Sequence, residues 1–218
     1  MQNSECGMQT ARMNELLHEA ARWRLLGRLF ECPTEAWRRD LATLAREVDD
    51  EALRRAAEAA VVTATEGQYH SVFGPGGPAP PREASYHDTL ELGSLMSALA
   101  AYYDAFGYRP VTIEAPDHVA VEAGFLAYLR FKEAYAVANG DAEHATTTAQ
   151  AAQQFRADHL AMIAAPLATV LADSEIDYLV QASELLASRA GDPPRRTRLP
   201  VIQAPVDDAG SEFPCCDT

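Results

Sequence analysis

The chain has 218 residues, and 32 acidic against 18 basic side chains leave a formal net charge of −14. That length suits one good-sized core and demands no second. The charge argues against nucleic acid as a partner, because phosphate repulsion would have to be overcome by a basic stripe. The basic cluster Arg195, Arg196 and Arg198 is small and lies in a Pro-rich segment. An acidic surface is better matched to a basic partner, whose encounter it would also speed. No apolar run is long enough to cross a bilayer. Met1 to Leu17 lacks the basic-then-apolar pattern of a secretory signal. A cytoplasmic location with no stable membrane association is therefore expected. The cysteines form no CxxC pair and no disulfide framework. Adjacent Cys215 and Cys216 are either a soft-metal or redox handle or incidental.

Alanine is abundant and strand-favouring residues are few, which tilts the chain towards helix. Polar residues 1–13 are expected to fray. Leu16, Ala20, Trp23, Gly27 and Phe30 then recur at helical spacing until Pro33. Thr34 is placed to cap a second helix carrying Trp37, Leu41 and Leu44 inward. Asp49 and Asp50 open an Ala-rich third helix to about Thr65. Residues 74–85 break the pattern, since the prolines and glycines of Gly74 to Pro81 exclude helix and central strand. Flanked by Tyr69, Phe73 and Tyr86, this segment reads as a working surface rather than a spacer.

Helical spacing returns from Asp88 to Phe106, with Leu92, Leu95, Met96, Leu99 and Tyr103 on one side. Pro116 fits the first turn of the next helix, with Asp117 beside its positive end and Val121, Phe125, Tyr128 and Leu129 inward. Two more helices are expected, from Asp141 to Leu171 and from Ser174 to Ser188. The expected fold is all-α, a single-domain bundle of six or seven helices over residues 14–190, with a largely disordered Pro-rich tail over 191–218.

Catalytic chemistry finds no anchor. A di-iron bundle needs two Glu-x-x-His pairs, and Glu15-Leu16-Leu17-His18 is the single match. Glu114, His118 and Glu122 are spaced four apart, which is also routine on helix surfaces. Nucleophile elbows and phosphate-binding glycine patterns do not occur. The expectation is no enzyme, no cofactor and no metal. A helical metal-binding protein, or an acidic adaptor for an unrelated partner, is the alternative.

Two dense segments remain: Tyr69-His70-Ser71-Val72-Phe73-Gly74-Pro75 continuing through Pro80-Pro81-Arg82-Glu83-Ala84-Ser85-Tyr86, and Glu114-Ala115-Pro116-Asp117-His118. Together they resemble the aromatic loop and the Glu-Pro-x-Asp-His helix start of the TorD/DmsD/NarJ family of redox-enzyme maturation chaperones. Leu25-Leu26-Gly27-Arg28-Leu29-Phe30 is similar to the family's opening helix, and Phe155-Arg156-Ala157-Asp158-His159-Leu160 to its late Phe-x-x-x-His-Leu helix. Arg82 stands where tryptophan is frequent, Val72 where leucine is common, and Ala115 separates the usual Glu-Pro pair. The Phe131-Lys132-Glu133-Ala134-Tyr135 stretch looks closest to members serving nitrate reductase-like, type II molybdoenzymes.

The resemblance implies a chaperone that binds the catalytic subunit of a DMSO reductase-family molybdoenzyme, and its twin-arginine signal peptide, as a monomer or domain-swapped dimer. It also implies a peptide site. Glu114 and Asp117 would meet guanidinium groups through paired, charge-assisted hydrogen bonds, with His118 orienting them. Tyr69, Phe73, Pro81 and Tyr86 would form an apolar wall, with Arg82, Ser85 and Glu122 completing the site.

Overall fold

The computed structural model describes residues 2–87 and 92–193. The tail with Arg195, Arg196, Arg198, Cys215 and Cys216, and the helix start expected at Asp88, lie outside the described residues. The elements are α1 (Gln2–Arg28), α2 (Glu35–Glu47), α3 (Glu51–Thr63), α4 (Glu66–Phe73), a 3₁₀ turn (Glu83–Tyr86), α5 (Leu92–Phe106), α6 (Val119–Ala138), α7 (Ala142–Phe155), a π-turn (Arg156–Leu160), α8 (Ala161–Leu171) and α9 (Asp177–Ala190). The molecule is one all-helical domain. Because α7, the π-turn and α8 form one continuous rod, the described residues contain eight helices, one more than the patterning predicts.

Helix α1 and α6 lie side by side and antiparallel at the centre. Leu16, Ala20, Trp23 and Phe30 are buried along the seam, and Gly27 lets the backbones close. A Cβ there would sit 3.1 Å from the Ala120 carbonyl oxygen and 3.2 Å from the Ala123 Cβ. Residues 2–13, expected to fray, are helical and extend α1. Arg12 Nη2 lies 3.3 Å from Glu133 Oε1, and the Gln9 amide donates to the Val137 carbonyl, so α6 gives the polar end partners.

The short-range rules hold well in α2 and α3. Thr34 Oγ1 accepts from Trp37 N at 3.2 Å, and Asp50 Oδ1 accepts from Leu53 N at 2.9 Å. Trp37, Leu41 and Leu44 are buried. Helix α4 is the unpredicted one. It starts on a capping box in which Thr65 and Gln68 satisfy each other's backbone amides at 3.0 and 3.1 Å. It stops at Gly74-Pro75-Gly76-Gly77, where Gly77 N donates to Gly74 O at 2.9 Å and Gly76 has φ +82°. Proline second and a positive-φ glycine third are what a type II turn requires.

Helix α6 starts later than the position of Pro116 implies. Pro116 and Asp117 precede the helix, and His118 is its N-cap, its ring Nδ1 accepting from Ala120 N at 3.1 Å. The residues before it form a turn, His118 N donating to Ala115 O at 3.0 Å, and His118 itself is extended where the chain bonds sideways to the proline loop. Along the inward face, Phe125 meets Phe155 with ring centroids 4.7 Å apart and Tyr103 at 4.9 Å. Edge-on aromatic packing of this kind adds to the burial itself. Helix α9 begins at Asp177 rather than Ser174, because Glu175 adopts a positive φ of 56° and interrupts the helical path.

Candidate functional site

The two motif segments, in which Arg82 and Asp117 lie 35 residues apart in sequence, are stitched together by backbone. Val119 N donates to Pro81 O at 2.9 Å, and Glu83 N donates to Asp117 O at 2.8 Å, forming an isolated antiparallel bridge between Arg82 and His118. Side chains reinforce it. Arg82 Nε donates to Asp117 Oδ1 at 2.8 Å, and Asp117 is fully buried although the Arg82 side chain keeps 43% of its exposure. Tyr103 Oη donates to Pro116 O at 2.8 Å, fixing the segment from the α5 side.

Behind the bridge lies a cluster of buried ionisable groups. Glu83 is sealed, with one carboxylate oxygen 2.7 Å from His87 Nε2 and the other 2.9 Å from His159 Nδ1. Burial alone would raise its pKa, but the bonds from His159 and His87 outweigh that and hold it below the ordinary carboxylate range. Glu122 is equally buried, and neither of its oxygens has a hydrogen-bond partner among the described residues. Burial, then the neighbouring charge of Glu83, pushes its pKa well up, which favours the protonated form. His118 goes the other way: burial and the Arg82 charge push it down to about 4. The Glu114 carboxylate 3.7 Å from its Nε2 therefore faces a neutral ring.

The predicted site residues separate into distinct roles. Tyr69 and Phe73 do not form an open wall. They are buried, Phe73 against Phe30 at 6.4 Å and Tyr69 against Phe73 at 5.2 Å, because the short helix carrying them turns its apolar side to the core. Pro81 and Arg82 are half-buried and Ser85 is exposed. Tyr86 is half-buried, its hydroxyl held by Pro80 O at 2.8 Å. Asp117, His118 and Glu122 are enclosed. Glu114 alone among the acids remains partly open, 3.4 Å from the Tyr69 hydroxyl.

What the motifs do not reveal is an open groove beside them. It encloses about 850 Å³ between α1, α2 and α6 and is lined by Leu17, Ala20, Leu44, Val121, Tyr128 and Phe131. Carboxylates Glu31, Asp40 and Glu47 sit along it. The 107–113 segment covers one end, with Val111 and Ile113 fully exposed. Glu114 adjoins that end, since its amide bonds to Thr112 Oγ1 at 3.2 Å and Thr112 lines the groove. Glu83, His87 and His159 also escape a spacing argument, since the bond from Glu83 to His159 spans 76 residues. The signals present were the Pro-Arg-Glu-x-x-Tyr loop and the Phe-x-x-x-His-Leu helix. Among the described residues no group of three or more His, Cys, Asp or Glu side chains is arranged to hold a metal ion. No described helix is long and apolar enough to cross a membrane.

Residues 32–168 match the family model for the nitrate reductase delta subunit. The backbone is similar to a crystal structure described as a "putative redox enzyme maturation protein" from Archaeoglobus fulgidus. The TM-score is 0.54 at 16% identity, covering 78% of this chain and 92% of that one, a likeness of fold. No curated protein matches the chain. Fold and family together define an all-helical redox-enzyme maturation chaperone, not a catalyst. The chain belongs to the nitrate reductase delta subunit family, and it is a molybdoenzyme maturation chaperone of that family.

Proposed function

We propose that this chaperone acts in the cytoplasm on the catalytic subunit of a DMSO reductase-family molybdoenzyme. It would hold that subunit, and its twin-arginine signal peptide where there is one, during cofactor insertion and before export. The observation that carries this reading is the continuity of Glu114 with the groove. A partly exposed carboxylate at the end of an apolar trough suits a peptide in which guanidinium groups precede an apolar stretch. Glu31 and Asp40 add acceptors there, sharing the single guanidinium of Arg28. Arginine pairs with carboxylates through two parallel hydrogen bonds, which orients as well as attracts. The stitched loop and buried acids then serve as the rigid support for that surface. Asp117 and His118 contribute by holding Glu114 and the start of α6 in place.

Titration calorimetry of a twin-arginine signal peptide against wild type, Glu114→Gln and Phe131→Ala tests the surface. Weakened binding in both variants is expected; unchanged affinity in both would remove it. Recovery of a molybdoenzyme catalytic subunit with the chaperone from its native host is the expected partner result. Its absence under conditions that express such an enzyme would count against the client.

A further inference from the structure

The groove has one closely matched occupant within the same chain. Arg195-Arg196-Thr197-Arg198-Leu199-Pro200-Val201-Ile202 places three arginines ahead of an apolar run, the same order of chemistry the groove is suited to hold. We propose that this segment docks in the groove between α1, α2 and α6 as a tethered stand-in for the client.

Three observations carry the assignment. The first is where the described chain leaves the fold. Arg189, in the last turn of α9, pairs with Asp50, while the adjacent Asp49 pairs with Arg22 of α1 at 2.8 Å. Glu47, two residues before Asp49, lines the groove. The chain beyond Pro193 thus starts at the groove's Glu47 end. The second is reach. Arg28 pairs with Asp40 in the middle of α2 and Arg22 with Asp49 just beyond its end, and the groove's lining runs along the first segment of the chain from Leu17 to Glu31. At 1.5 Å per helical residue that is roughly 20 Å, whereas the nine residues from 194 to 202 span up to about 30 Å when extended.

The third is charge. Glu47 is exposed and forms no ion pair with a described residue, and Glu31 and Asp40 have one guanidinium between them. A short run of three arginines is offered carboxylates with capacity to spare, on a chain of net charge −14. Leu199, Val201 and Ile202 supply the apolar part that follows the arginines. Being tethered, the segment competes at an effective concentration in the millimolar range, so even weak docking matters. That competition, though not the docking itself, rests on the signal-peptide reading above.

Two measurements on the full-length chain test this. In the first, Leu199 is replaced by the photoreactive p-benzoylphenylalanine, and crosslinks are mapped by mass spectrometry. Expected are crosslinks within one chain to residues lining the groove. In the second, a peptide with two adjacent arginines followed by an apolar stretch is titrated into wild type and into Arg195→Glu/Arg196→Glu/Arg198→Glu. The triple variant is expected to bind about tenfold more tightly, because removing the competitor restores the open fraction. Crosslinks that fall elsewhere, or between chains, overturn the docking. If the peptide then binds both proteins equally, the client reading survives. Groove crosslinks with no peptide binding to either protein would keep the docking and sink the client reading. Groove crosslinks with equal affinities would overturn the stand-in role.

Discussion

The two faces of α6 treat carboxyl groups in opposite ways. On the face carrying Glu122, Phe125 and Leu129, the carboxyls of Glu83, Asp117 and Glu122 are shut away from water, each in a different state. Glu83 is held charged by two histidines, Asp117 is paired with Arg82, and Glu122 is pushed by burial towards its protonated form. On the face carrying Val121, Gly124, Tyr128 and Phe131, the carboxylates of Glu31, Asp40 and Glu47 remain beside an open apolar trough. A buried carboxylate whose charge is already compensated inside the fold is out of a partner's reach, and exposing it would break its bonds to the histidines or the arginine. A solvated carboxylate can exchange water for a guanidinium at little cost. On the proposed reading, the motif residues that look most like a binding site are therefore largely the frame, and recognition falls to the plainer face behind them.

Removing Glu83 should separate the two faces most sharply. In Glu83→Ala the rings of His87 and His159 lose their shared acceptor inside the protein. A loss of about 3 kcal/mol is expected, as is usual when one partner of a buried charged contact is deleted. Urea unfolding would show it as a lower midpoint with an unchanged slope. Peptide affinity, measured where the variant is still folded, should remain near that of wild type.

The next effect is a pH dependence built from two opposed slopes. His118 is pushed down to about 4 in the fold, against about 6.5 for a free imidazole. The unfolded chain binds the extra proton between those values, so stability falls as pH drops below about 6.5, by roughly 2 kcal/mol at pH 5. Glu122 has the reverse sign. Its folded pKa is raised, so the fold keeps a proton that the unfolded chain releases above about 4.3. Its contribution is thus full at low pH and is lost as pH rises towards the folded value. Wild type should show a flattened curve between pH 5 and 7. In Glu122→Gln only the histidine slope remains, and acid should destabilise more steeply. In His118→Asn, which keeps a capping acceptor, stability should instead fall as pH rises. Parallel curves for all three proteins would refute the assignment of either group.

How much of this was legible follows from how far each interaction reaches along the chain. Thr34, Asp50 and the buried sides of α2 and α6 depend on residues three to seven apart, and spacing arguments find them. Helix α4 was equally legible, since Thr65-Glu66-Gly67-Gln68 is a capping box, but its eight residues are overshadowed by the prolines that follow. The late start of α6 was hidden because it depends on Pro81 and Glu83, which pull Asp117 and Val119 into a bridge. Glu83 was hidden for the same reason: beside Arg82 in a loop it looks like a solvated charge. The groove has no motif at all, because its lining is ordinary helix surface that becomes concave only when α1, α2 and α6 are assembled.

On the open face, Phe131→Ala should leave stability nearly unchanged, since the ring is 54% exposed. It should weaken a twin-arginine peptide about tenfold, as loss of an aromatic anchor removes roughly 1.4 kcal/mol. The smallest expected effect is that of Glu114→Gln. Its carboxylate is only partly exposed and shares its position with the Tyr69 hydroxyl, so the variant keeps shape and hydrogen bonding while losing charge. A guanidinium contact in that half-solvated setting is worth under about 1 kcal/mol, or roughly a threefold loss of affinity. Salt distinguishes it from Phe131→Ala. Screening weakens an exposed ion pair but not apolar burial, so raising salt from 0.05 to about 0.5 M should bring Glu114→Gln level with wild type. The deficit of Phe131→Ala should persist. If salt closed both gaps or neither, the groove and the acid at its end would not be acting as the apolar and cationic halves of one surface.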